Sequence, residues 1–128
     1  MAEITRKELI LSLISSGEAP RLRELDLSGL DMHGLSLSRA DLEGANLAGA
    51  DLSGALLDQA RLNRANLTGA NLSGAQLSGA QLHQATLVSA RLVAADLTKA
   101  SFQEADVTGA DFTDAVTHGT VFTKAKGR

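Results

Sequence analysis

Residues 40–114 read ADLEG-ANLAG-ADLSG-ALLDQ-ARLNR-ANLTG-ANLSG-AQLSG-AQLHQ-ATLVS-ARLVA-ADLTK-ASFQE-ADVTG-ADFTD, one five-residue unit returning without insertion or deletion. Two slots are held: a large apolar residue in the middle, and Ala two residues before it. In phase with this stretch, the middle slot recurs 21 times from Leu22 to Phe122 and is apolar everywhere except Thr117. The small slot recurs 18 times from Ala40 to Ala125 and is Ala everywhere except Thr120. A period of five fits neither the α-helical period of about 3.6 nor the strand period of about 2. It fits three extended residues followed by a two-residue corner, which turns the small and middle slots to the same side. Ten glycines, Gly44 and Gly69 among them, fall in the last slot of a unit, where a tight turn favours a residue without Cβ.

Working outward, the units before Ala40 keep the middle slot but place Leu25, Leu30 and Leu35 where Ala stands later. Larger side chains there predict a plug at the end of a stack, beneath a cap. Pro20 occupies the same slot one unit earlier, where its missing amide hydrogen suits an edge. Upstream, residues 5–16 are predicted to form a short helix. Thr5 and Glu8 make a capping box, Ile4 and Leu9 a hydrophobic staple, and Leu9, Ile10, Leu13 and Ile14 an apolar stripe. Arg6, Lys7 and Ser12 lie mostly off that stripe, and Gly17 is the stop. The helix is read as a lid, because stacked repeats leave an apolar end that a terminal element must cover.

Composition narrows the classes. The chain has 128 residues, 15 Asp plus Glu against 12 Lys plus Arg, no Cys and no Trp, so its core is built from Leu and Ala. Lack of cysteine excludes disulfides and Cys-ligated zinc. No apolar run reaches the roughly 20 residues of a membrane span, and residues 1–8 lack the pattern of a secretion signal. A soluble, cytoplasmic protein is expected.

The tandem units Ala40-Asp41-Leu42-Glu43-Gly44 and Ala65-Asn66-Leu67-Thr68-Gly69 resemble the pentapeptide repeat family, and the resemblance extends over most of the chain. It implies an all-β fold: a right-handed quadrilateral β-helix of about five coils, with four units per coil, closed by the N-terminal capping α-helix. The chain then divides into helix and link at 1–19, β-helix at 20–125, and a basic tail at 126–128. Residues 20 apart stack at about 4.8 Å. Asp41 is thereby expected over Arg61, and Arg91 over Asp111, as cross-coil ion pairs.

Chemistry is confined to the variable slots. His33, His83 and His118 fall on three different faces and cannot meet at one metal or nucleophile. The many Asp and Ser, as in Asp51-Leu52-Ser53, read as turn and surface residues with no nearby His, and the glycines follow the corners, not a phosphate loop. No catalytic residue, metal or cofactor is expected, and an enzyme is disfavoured. The expected function is a structural scaffold or protein-protein interaction module for an unidentified protein partner.

The alternative is the DNA mimicry of type II topoisomerase (DNA gyrase) binders within the family. Such a mimic of this length needs about 14 net negative charges. Residues 26–115 carry eleven acids against five bases, and no acid lies between Asp58 and Asp96. Direct nucleic-acid binding is not expected either, since the bases form no continuous stripe and no aromatics interleave them.

Apolar residues in outward slots, Leu56, Val88, Val93, Val116 and Val121, are the candidate interaction patch. At the C-terminal side the pattern loosens after Ala115, and an apolar end around Phe112 and Phe122 is the candidate surface for an end-to-end homodimer.

Overall fold

The structure, a computed structural model, describes residues 4–6, 8, 9 and 19–128. From Arg21 to Lys126 the chain is a β-helix solenoid. Every backbone bridge is parallel and joins residues 20 apart, as in Arg21↔Asp41 and Asp106↔Lys126, so one coil takes four units. The bridges fall into four ladders, begun by Arg21, Asp26, Asp31 and Ser36. These define a first face (residues 21–24, 41–44, 61–64, 81–84, 101–104 and 121–124) and, each five residues on, a second, third and fourth.

Each unit closes its backbone bonds in the same way. The amide of the middle residue and that of the last residue donate forward, Leu52 to Asn71 O at 2.7 Å and Gly54 to Ser73 O at 2.9 Å. The amide of the residue before the middle donates backward, Asp51 to Leu30 O at 3.0 Å. At the corner the next Ala donates to the middle carbonyl, Ala55 to Leu52 O at 3.1 Å. This bond makes the unit's last slot the third residue of a reverse turn, the position where type II turns require positive φ. All the last-slot glycines are there, Gly44 at φ 67° for example. The Asp or Asn slot reinforces the corner: Asp51 Oδ1 accepts from the Ser53 amide at 3.0 Å and the Ser53 hydroxyl at 2.6 Å, an Asx turn.

The core is the inward pair of slots. The middle residues from Leu27 to Phe102 and the Ala residues from Ala40 to Ala105 are buried throughout. Leu30 is buried, and Leu25 and Leu35 pack half-buried against the same cluster, as a plug requires. Above them, Arg6, Glu8 and Leu9 are helical, and Thr5 and Glu8 exchange both capping-box bonds at 3.1 Å. Leu9 is fully buried in the core cluster. Arg6 donates to the outward carbonyls of Asp31 at 2.7 Å and His33 at 3.2 Å, satisfying acceptors that the first coil leaves open. The remaining residues of the predicted helix, Lys7, Ile10, Ser12, Leu13, Ile14 and Gly17 among them, lie outside the described residues.

At the opposite end the forward-pointing amides have no next coil among the described residues. Those of Phe112, Asp114, Thr117, Gly119, Phe122 and Lys124 are without a partner there. Thr120, the one break in the Ala slot, turns its hydroxyl to Leu97 O at 2.7 Å.

Candidate functional site

The five outward apolar residues do not share a face. Leu56 and Val116 lie on the fourth ladder three coils apart, and Val121 lies on the first. Val88 is on the second face and Val93 on the third. Leu56, Val88 and Val93 are half-buried, whereas Val116 and Val121 stay 42% and 41% exposed. Those two surround the C-terminal end, where Phe112 and Phe122 do come together. Their rings pack edge to face at 5.8 Å, and both contact Phe102, Phe122 stacked at 5.1 Å and Phe112 edge-on at 6.0 Å. The Arg128 guanidinium lies 3.8 Å from the Phe122 ring centre, a cation-π contact over this end.

The first face carries an arrangement that the sequence pattern hides. Glu43 sits in the slot after the middle residue, and its side chain is only 12% exposed. Its carboxylate takes Arg23 at 2.9 Å and Arg61 at 2.5 Å, with Arg64 at 4.0 Å. Arg23 also pairs with Asp41 at 3.1 Å. The hydrogen bond to Asp41, ahead of the nearby negative charge, holds the Arg23 guanidinium above its ordinary pKa. Burial pushes the Asp41 carboxyl up, but the Glu43 amide and Arg23 outweigh it and leave it below the usual carboxylate value. The predicted Asp41–Arg61 pair is therefore replaced: Arg61 is long enough to reach past Asp41 to the better-enclosed Glu43. Arg91 and Asp111 are stacked in one ladder, but no ion pair forms between them. Asp111 instead accepts from the Thr113 hydroxyl and amide, which hold its carboxyl below the ordinary value.

The same device lowers the carboxyls of Asp26, Asp51, Asp96 and Asp106, each through the hydroxyl and then the amide of the Ser or Thr two residues on. On the third face Asp31, His33 and Asp51 place one ligand atom each within 4.8 Å of one another. Asp51 thus has a histidine close by, one coil away, contrary to the reading of that stretch; the 18-residue offset is invisible along the chain. His33 Nδ1 lies 2.5 Å from Asp31 Oδ1, Arg6 adds an ion pair at 3.4 Å, and Asp51 is bonded to Ser53, so these groups already satisfy one another. His83 belongs to the first face, where with Gln84, Gln103 and Glu104 it lines a shallow open notch of about 240 Å³. His118 is exposed on the fourth.

Comparison with known proteins adds three findings. The family model described as pentapeptide repeats matches residues 45–80 and 75–114. The crystal structure of Rfr23, a pentapeptide repeat protein from the cyanobacterium Cyanothece 51142, is 34% identical with a TM-score of 0.70, covering 73% of this chain and 64% of that one. HetL, a pentapeptide repeat protein involved in heterocyst differentiation regulation in the cyanobacterium Nostoc sp. strain PCC 7120, is 28% identical with a TM-score of 0.61, covering 84% and 62%. The chain thus spans a little under two thirds of the length of either. No curated protein sequence matches it. The unbroken five-residue register, the 20-residue coil and a family model covering more than half of the sequence have one meaning: this chain belongs to the pentapeptide repeat family.

Proposed function

We propose that the protein is a non-enzymatic scaffold or protein-protein interaction module of the cytoplasm, built as a right-handed quadrilateral β-helix of about five coils with a short helix as its N-terminal lid. The observation that carries this reading is the fixed 20-residue register. It holds every outward side chain at a set position on a stack whose inward slots are filled by Leu and Ala. Such a surface suits recognition by shape and charge. Many of its titratable groups are engaged in turns and ion pairs, as Asp51 is with Ser53 and Glu43 with Arg23 and Arg61, which does not suit a reacting centre. The regulatory involvement of HetL supports the same class of role. No helix among the described residues is long and apolar enough to cross a membrane.

The test is capture from extract of the native cell by the immobilised protein, followed by reconstitution of the complex from purified components. A reproducible stoichiometric protein partner is expected. Inhibition of gyrase supercoiling by the purified protein would replace this reading with the topoisomerase-directed one. Turnover of a substrate would overturn it.

A further inference from the structure

The four faces of the stack differ in backbone strain. Eleven non-glycine residues have φ near +60° at the corners. Eight of them are long and charged or amide-bearing, and all eight border the first face. Arg39, Gln59 and Lys99 stand at the corner entering it; Glu24, Arg64, Gln84, Glu104 and Lys124 stand at the corner leaving it. The other two corners carry glycine except at Ser89, Ala94 and Asp114. An L-residue in this conformation costs about 1 kcal/mol relative to glycine. Long side chains are therefore kept along one face against the preference of the turn. They lie over neighbouring glycines: a Cβ on Gly44 would come 3.0 Å from Glu24 Cγ, and one on Gly79 3.4 Å from Gln59 Cγ.

Charge is distributed by face as well. Counted with its two corners, the first face holds seven bases against the four acids Glu24, Asp41, Glu43 and Glu104, whereas the other three hold eight Asp residues against Arg91, Lys126 and Arg128. Glu43 and Asp41 engage Arg23 and Arg61. Arg64 is held only at 4.0 Å, and Arg39 has no ion pair among the described residues. A guanidinium has five donors in a planar fork, so one edge held by protein leaves another for a second carboxylate. Beyond the arginines the face continues with the hydrogen-bonding groups Gln81, His83, Gln84 and Gln103, and Glu104 accepts from the Gln84 side-chain amide at 3.2 Å.

From this strain and charge asymmetry we infer that the first face is the docking surface for an extended, acidic segment of a partner protein. The segment crosses the face obliquely, its carboxylates on Arg39 at one corner and Arg64 at the other and its backbone against the amide-bearing side chains. The inference rests on the interaction-module reading and specifies its surface. The probe is fluorescein-labelled decaglutamate, followed by anisotropy at low salt and again at about 0.15 M, where screening weakens exposed pairs. Binding is expected, and Arg39→Glu with Arg64→Glu weakens it about tenfold or more. Arg39→Gln with Arg64→Gln, which adds no repulsion, weakens it in the same direction, and Asp111→Asn leaves it within about twofold. Absence of binding by the folded wild-type chain, equal loss in the Asp111 variant, or tighter binding of decathymidylate than of decaglutamate overturns the inference, the last in favour of nucleic acid. If a captured partner is retained by the Arg39→Glu, Arg64→Glu protein, the module reading stands and this face is not its surface. If decaglutamate binding follows the arginines but no cellular partner is captured, the module reading is what fails.

Discussion

Single side chains in this stack act through their slot. Ser53 and Ser73 occupy the same slot on the same face one coil apart, yet they differ in bonding. The Ser53 hydroxyl donates to Asp51 at 2.6 Å, while the buried Ser73 hydroxyl has no partner, and only the Ser73 amide bonds Asn71. Ser53→Ala should therefore lower stability in urea unfolding by about 1 kcal/mol, and Ser73→Ala should be neutral or mildly stabilising, because it removes an unsatisfied donor. Equal losses for the two would show that the hydroxyl bond contributes nothing. Leu72 is fully buried, walled by Leu52 and Leu92 in the neighbouring coils. Leu72→Ala should cost about 2 to 5 kcal/mol, since backbone bridges above and below resist collapse into the cavity. A neutral urea melt would contradict the inward assignment of this slot.

At the scale of the repeating unit, the Asx turns make stability depend on pH. Asp26, Asp51, Asp96, Asp106 and Asp111 have carboxyls held below the ordinary value of 3.8, chiefly by a Ser or Thr hydroxyl. Depressed carboxyls bind fewer protons folded than unfolded. Their contribution is thus complete above pH 3.8 and is lost as pH falls through the lower folded values. Thermal unfolding followed by circular dichroism should give a flat midpoint from neutrality to about pH 5 and a decline below about pH 4. A midpoint that rises on acidification would refute this. The unit was legible because its Leu and Ala slots are constrained by burial at a fixed chain spacing, and the plug of Leu25, Leu30 and Leu35 was legible for the same reason. The Glu43 cluster was not. Its partners lie 18, 20 and 21 residues away, and which arginine meets which carboxylate depends on side-chain reach across coils. The one signal available was a Glu in a slot that Ser or Thr fills in ten of the 20 units from Ser28 to Thr123. Likewise Asp51 and His33 meet only once the coil has been closed.

For the whole molecule the two ends differ in kind. At the N-terminal end Leu9 covers the apolar core and Arg6 takes two outward carbonyls. At the other end Phe112 and Phe122 are half-buried, Val116 and Val121 are exposed, and the amides of Phe112, Thr117 and Phe122 among others point outward unpaired among the described residues. By the register of the ladders, the carbonyls of Ala110, Ala115 and Thr120 face the same way. We propose that this face, with donors and acceptors alternating around an apolar centre, meets the same face of a second copy related by a two-fold axis. The Arg128 guanidinium lies over Phe122 on this face. Light scattering after size exclusion should give twice the chain mass at high concentration. Val116→Lys with Val121→Lys places charge in that contact without touching the Phe102 stack, and should raise the dissociation constant at least about tenfold, close to 1.4 kcal/mol. Thermal unfolding of the same variant at low concentration should match the wild-type chain, because neither valine is buried within the monomer. A strict monomer at high concentration, or a dimer indifferent to both lysines, would place the contact elsewhere and leave Arg128 as the cover of this end.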